Sequence, residues 1–194
     1  MADLLEPFAG RDSPLAANRL IAHFGSLGRA LAATPEQLSE ALGDDRKLAK
    51  SILAARRLVH AGLREEVQRS PVSPLDPAFR SYLSLILGNA TTERLHATFV
   101  THEWGYLADE ILAEGTTGHV EGDLRRLLSR AFDLGAHGII LAHNHPSGSA
   151  EPSDNDVALT RRIAPLANSV GIQILDHLIV GASRIISMRE RELL

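Results

Sequence analysis

The chain has 194 residues, 44% of them hydrophobic and 23% charged, proportions that exclude a disordered, collagen-like or fibrous protein and predict a folded globular one. Cysteine is absent, which excludes disulfides, thiol nucleophiles and thiolate metal sites and leaves His, Asp and Glu as the available metal ligands. The net charge of -4 argues against a whole-molecule affinity for phosphate backbones, and it is unevenly spread: ten Lys or Arg face nine Asp or Glu up to residue 70, and ten face fifteen beyond it.

From Leu15 to about Leu63 the apolar positions, among them Leu20, Phe24, Leu27, Leu38, Leu48, Ile52 and Leu58, recur at helical spacing. Thr34-Pro35 reads as an N-cap followed by proline at the first helical position, and Gly43 ends that short helix, so four short helices are expected. Pro71, Pro74 and Pro77 then deny both helix and sheet, which marks residues 70–77 as a linker between a helical domain (1–69) and a second domain (78–194). A helix over Pro77 to Leu87 follows. Leu95 to Val100 and Tyr106 to Ala113 read as the two strands of a hairpin. Leu124, Leu127, Leu128, Ala131 and Leu134 give a helix over Glu121 to Leu134 one buried stripe, and Gly138 to Ala142 is a buried strand. A helix from about Asp154 to Ser169 and strands near Ile172 to Val180 and Arg184 to Met188 complete the expectation of an α/β domain, a mixed sheet flanked by helices, behind a small all-α domain. No apolar stretch approaches the roughly 20 residues that span a bilayer, and no signal-peptide pattern opens the chain, so a cytoplasmic protein without a membrane partner is expected.

The stretch that carries chemistry is His143-Asn144-His145-Pro146, followed by Ser153 and Asp156. On an extended strand, residues two apart point to the same side, so His143 and His145 would bring both imidazoles to one point at a strand end. Asp156 falls in the first turn of the next helix, where its carboxylate would complete a three-ligand site open to water, the arrangement of a catalytic zinc. Nine His in the chain give one His-x-His pair by chance in about 0.4 of such sequences. Requiring Pro146, Ser153 and Asp156 at their offsets lowers the coincidence to about one in ten thousand. Ser153 and Asp156 also satisfy the pattern of a helix capping box.

His-x-His-Pro followed by Ser-x-x-Asp resembles the signature of the JAMM (MPN+) zinc metallopeptidases. More narrowly, residues 142–148 and 151–153, Leu175-Asp176-His177-Leu178-Ile179-Val180-Gly181 and Gly115-Thr116 resemble the bacterial RadC family. The resemblance implies a JAMM/MPN-like domain with layering similar to that of cytidine deaminases. It also implies one Zn2+ per chain on His143, His145 and Asp156, with Ser153 helping to hold an oxyanion. Glu93, just ahead of the first core strand, stands where the family has its general base, and Glu110 is the second choice. Asp176 and His177, within a shared segment, are candidates for holding a ligating imidazole from behind. The implied activity is hydrolysis of a peptide or isopeptide amide by metal-activated water, with a peptide or protein as substrate.

Arg19 to Leu63 resembles the helix-hairpin-helix region that precedes the catalytic-type domain in RadC proteins. Such hairpins hold DNA phosphates on a glycine-rich turn. Here the corresponding Leu42-Gly43-Asp44-Asp45 carries two carboxylates, and Arg46, Lys47 and Lys50 are the candidate phosphate contacts. The alternative function is therefore a DNA-associated repair or recombination accessory with little or no hydrolase activity.

Overall fold

A computed structural model describes residues 1–115 and 120–194. Five helices come first: α1 (Ala2–Ala9), α2 (Ser13–Phe24), α3 (Leu27–Ala32), α4 (Pro35–Ala41) and α5 (Arg46–Gln68). Local chemistry fixes their ends. Gly25 takes φ 76° to stop α2. The Thr34 hydroxyl accepts from Gln37 N while Gln37 reaches back to Thr34 N, the expected cap at the start of α4. Leu20, Leu38, Leu42, Ile52 and Leu53 form the centre of a helical core that Leu5 of α1 also enters.

α5 is not short: it runs for 23 residues and continues past Leu63 to Gln68. The reason is that its two halves serve different cores. Leu48, Ala49, Ile52 and Leu53 pack among the preceding helices, whereas Leu63 and Val67 pack with Phe79, Tyr82, Leu83 and Leu87 of α6 (Pro77–Leu87) beneath the sheet. The proline-rich segment between α5 and α6 is held rather than loose. Val72 is buried and its N–H donates to the Trp104 carbonyl at 2.7 Å, and the Asp76 carboxylate caps α6 through Ala78 N and Phe79 N.

The sheet has strands β1 (Arg94–Val100), β2 (Tyr106–Glu114), β3 (Gly138–Asn144), β4 (Gln173–Val180) and β5 (Ile185–Ser187), in the order β2-β1-β3-β4-β5. β1 is antiparallel to both β2 and β3, and β3 and β4 are parallel through the crossover helix α8 (Asp154–Ser169), which makes the sheet mixed. On one face Leu95, Ala97 and Phe99 pack against α8 and α7 (Val120–Leu134). On the other, Ile140, Ala142, Leu178 and Val180 meet α6. This is the α/β architecture of helices on both faces of a mixed sheet, preceded by a helical region. Among the described residues no helix is long and apolar enough to cross a membrane. Thr116, one of the residues that carries the family resemblance, lies outside the described residues.

Candidate metal centre

His143 occupies the end of β3, opposite Leu95 of β1 and Ile179 of β4. The pleat turns its imidazole to the α8 side of the sheet, and His145, two residues on, follows it. The two Nε2 atoms lie 2.9 Å apart. Asp156, in the first turn of α8, brings Oδ1 to 3.1 Å from His143 Nε2 and Oδ2 to 3.2 Å from His145 Nε2. These three side chains form a cluster able to hold a metal ion. Its donor spacings fit the group. Ligands about 2.0–2.1 Å from a tetrahedral zinc stand about 3.3 Å from one another, close to the separations here. The cluster lies in a cavity of about 560 Å³ that Glu93, Ser153 and Leu159 also line.

The Ser-x-x-Asp spacing does two jobs. Ser153 N and Ser153 Oγ both donate to Asp156 Oδ2 at 2.7 Å, and Ser153 Oγ accepts from Asp156 N at 3.3 Å. The helix cap therefore aims the carboxylate at the histidines. Burial alone would raise the Asp156 pKa, but the hydrogen bonds from His143 and Ser153 outweigh it and hold the carboxyl well below the usual carboxylate range.

Behind the cluster runs a buried relay. His143 Nδ1 lies 2.9 Å from His177 Nε2, His177 Nδ1 lies 2.6 Å from Thr160 Oγ1, and Thr160 Oγ1 donates to the Asp156 carbonyl at 2.7 Å. One set of protons satisfies the relay. His143 donates from Nδ1, and neutral His177 accepts at Nε2 and donates from Nδ1. The His143 Nε2 proton that faces Asp156 is the one a bound metal would displace, turning that lone pair to the cluster. Burial pushes the His177 pKa down to about 3, and the neighbouring His143 adds to the effect, so the imidazole is neutral as the relay requires. Asp176 plays a different part. Its carboxylate accepts from His177 N, Ser187 Oγ and Arg189 N, which secures β5 and the C-terminal turn to β4.

Of the two residues read as candidates for holding a ligating imidazole from behind, His177 meets His143 and Thr160, whereas the Asp176 carboxylate turns to Ser187 and Arg189. Two residues were missed altogether. Thr160 is one turn beyond Asp156 on α8, a spacing that offered a signal. Asn144, between the two histidines, points to the opposite face. Its Oδ1 accepts from Arg94 N at 3.0 Å, and its Nδ2 donates to Ala90 O at 3.3 Å and Thr92 O at 3.0 Å. Asn144 thus clamps the segment that carries Glu93 to the end of β3.

Of the two candidate bases, Glu93 lines the metal cavity. The Glu110 carboxylate is ion-paired with Arg130 of α7. Arg46, Lys47 and Lys50 are exposed around the first turn of α5, apart from this centre, where the Asp45 carboxylate is used as a cap on Leu48 N at 2.9 Å.

A close approach holds the loop after His145. A Cβ on Gly181 would stand 2.8 Å from Gly148 O and 2.9 Å from Ala150 Cβ, and Ala182 N donates to Gly148 O at 3.0 Å. Only glycine lets the loop lie on β4's end.

The amino-acid sequence that builds this site is similar to those of known proteins. The RadC-like JAB domain family matches residues 76–193. The chain belongs to this RadC family. It is 34% identical over 178 residues to a UPF0758 protein of Rhodobacter capsulatus, covering 92% of this chain and 83% of that one. A UPF0758 protein of Leptothrix cholodnii is also 34% identical, over 92% of this chain and 80% of its own length. One from Aliivibrio salmonicida is 31% identical over 90% of this chain and 78% of its own. The similarity to these RadC-family relatives thus includes most of the helical region as well as the sheet.

Proposed function

We propose that this RadC-family chain is a zinc-dependent hydrolase that cleaves a peptide or isopeptide amide bond, with one Zn2+ held by His143, His145 and Asp156. The observation that carries the reading is the convergence of three side chains, whose donor atoms approach one another pairwise at 2.9–3.2 Å, inside a cavity that Glu93 also lines. When bound, zinc in such a site acts as a Lewis acid and makes hydroxide available near neutral pH. The chain's own residues supply the rest. The Glu93 carboxylate takes a proton from the attacking water and passes it to the leaving amine. The Ser153 hydroxyl turns from Asp156 Oδ2 to donate to the oxygen that gains charge on the scissile carbonyl. Asn144 keeps Glu93 over the site, and His177 holds the proton on His143 Nδ1, which leaves Nε2 as the atom for the metal.

The test is elemental analysis after dialysis without chelator, followed by a peptide and isopeptide cleavage screen. Wild type is expected to retain about one zinc per chain and His145→Ala to lose it. Glu93→Gln is expected to keep the metal and lose about 10²–10⁴-fold in turnover. A folded wild type that refuses added zinc, or a Glu93→Gln variant with full turnover, overturns the reading.

The second reading, a DNA-associated accessory, is supported by Arg46, Lys47 and Lys50, which are exposed together on α5. It requires salt-sensitive DNA binding that survives removal of the metal and weakens in Lys47→Ala and Lys50→Ala.

A further inference from the structure

β1 has two working faces. Glu93 and Leu95 line the metal cavity, and the alternation of the strand sends Arg94 and His96 to the other side, where they line a second cleft of about 610 Å³. Its remaining walls come from the α3–α4 connection, from α5 and α6, and from β2. Arg56, Arg57 and Arg64 of α5 join Arg94 there.

The acids that line or border this cleft are already engaged. Asp109 binds His96 Nε2 at 3.0 Å, Tyr82 OH at 2.6 Å, Tyr106 OH and Arg64 Nε at 3.2 Å. Glu110 is paired with Arg130 and Glu114 with Arg94. Arg56 spends Nη1 on neutral acceptors, the carbonyls of Leu31 at 2.5 Å and Ala33 at 3.1 Å. Among the described residues neither Arg56 nor Arg57 has an acidic partner. Burial lowers the Arg56 pKa, and the charges of Arg57 and Arg94 lower it further, so Arg56 and Arg57, which no carboxylate among the described residues neutralises, stand beside a third guanidinium that Glu114 already pairs. Like charge gathered in a concave site is costly unless an anion occupies it.

We propose that this cleft binds an organic phosphate of nucleotide size, with Arg56 and Arg57 on the phosphates and Ile86 and Ile111 against the organic part. Two guanidiniums call for more than one negative charge, which a monocarboxylate does not bring and a diphosphate does. Their forked donors match phosphate oxygens. The volume falls in the range of small-molecule sites, about 300–1,000 Å³, and Ile111 stays 37% exposed on an edge strand, an apolar wall left for a ligand.

Calorimetry on the full chain with ADP, inorganic phosphate and adenosine tests the assignment. ADP is expected to bind saturably, with phosphate and adenosine each weaker by about tenfold or more. Arg57→Glu and Ile111→Glu, at exposed positions, are each expected to weaken ADP by about tenfold or more, and Lys50→Glu, outside the cleft, by less than about twofold. Binding is expected to persist in His145→Ala, which separates the cleft from the metal centre. Absence of saturation at millimolar ADP, indifference to Arg57→Glu, or loss of binding in His145→Ala overturns the assignment. So does binding of a thymidine oligonucleotide but not of ADP, with Lys50→Glu as damaging as Arg57→Glu, which would mark a polyanion track instead.

Discussion

His143 Nδ1 and His177 Nε2 lie 2.9 Å apart, joining the end of β3 to β4 behind the candidate metal cluster. His177 is fully buried, so removing it leaves His143 Nδ1–H without a partner and takes from Thr160 Oγ1 the proton it accepts, although the Thr160 hydroxyl still donates to the Asp156 carbonyl. His177→Ala is expected to cost about 1–3 kcal/mol of stability and about 10–100-fold in metal affinity. His177→Gln, whose carbonyl can accept from His143, is expected to recover much of the affinity. Competition against a chromophoric chelator reads both. Equal affinity in wild type and His177→Ala would remove His177 from the site.

Asn144 makes all three of its side-chain hydrogen bonds to one segment, the residues that lead into β1. Asn144→Ala is expected to lose about 1–3 kcal/mol in a urea titration. Because none of these bonds touches a metal ligand, the variant is expected to keep its zinc while turnover falls, through misplacement of Glu93. Loss of metal in step with turnover would contradict this division of labour.

Two glycines are expected to respond with opposite sign. At Gly181 the obstacles to a Cβ are the backbone oxygen of Gly148 and the backbone around Ala150, which cannot swing aside. Gly181→Ala is expected to destabilise by about 1–3 kcal/mol and to weaken metal binding by displacing the loop after His145. Gly62, within α5, has nothing within 4 Å of a Cβ. There Gly62→Ala is expected to stabilise by about 0.5–1 kcal/mol. Thermal melts of both variants check the pair.

The grouping of His143, His145 and Asp156 was readable in the sequence because their placement depends on local rules. A two-residue period puts His143 and His145 together, and a capping box places Asp156, so both readings of Ser153 and Asp156 describe one arrangement. The element order from α2 onward was readable for the same reason, since each of these helices and strands carries its own period and stop signals, whereas α1 lies ahead of the helical pattern read from Leu15. What was hidden depends on register across the sheet. Asn144 reaches residues more than 50 positions back, and His177 meets His143 only because β3 and β4 are parallel neighbours. The preference for Glu93 over Glu110 likewise depends on Arg130, a residue of another helix. The length of α5 was hidden because Val67 is buried by α6, beyond the linker prolines.

The network around Asp109 fastens α5 to β2 and gives stability a pH dependence at both ends. Burial would raise the Asp109 pKa, but hydrogen bonds from His96, Tyr106 and Tyr82 overcome it and hold the carboxyl well below its ordinary value. The folded chain then binds fewer protons than the unfolded one in acid, so this stabilisation is present above the unfolded pKa of about 3.9 and drains away as pH falls below it. On the alkaline side burial and the bond to Asp109 push Tyr106 up to about 12, and burial drives Tyr82 upward as well. Between about pH 10 and 12 the unfolded tyrosines release protons that the folded ones keep, so stability falls as pH rises. Urea midpoints measured from acid to alkaline pH are expected to show both limbs. Tyr82→Phe with Tyr106→Phe is expected to flatten the alkaline one. Asp109→Asn is expected to flatten the acid one and to cost about 3 kcal/mol near neutrality, because it leaves Arg64 and the two phenols facing an uncharged partner. An acid limb unchanged in Asp109→Asn would assign the acid sensitivity to other carboxylates and reduce Asp109 to a packing residue.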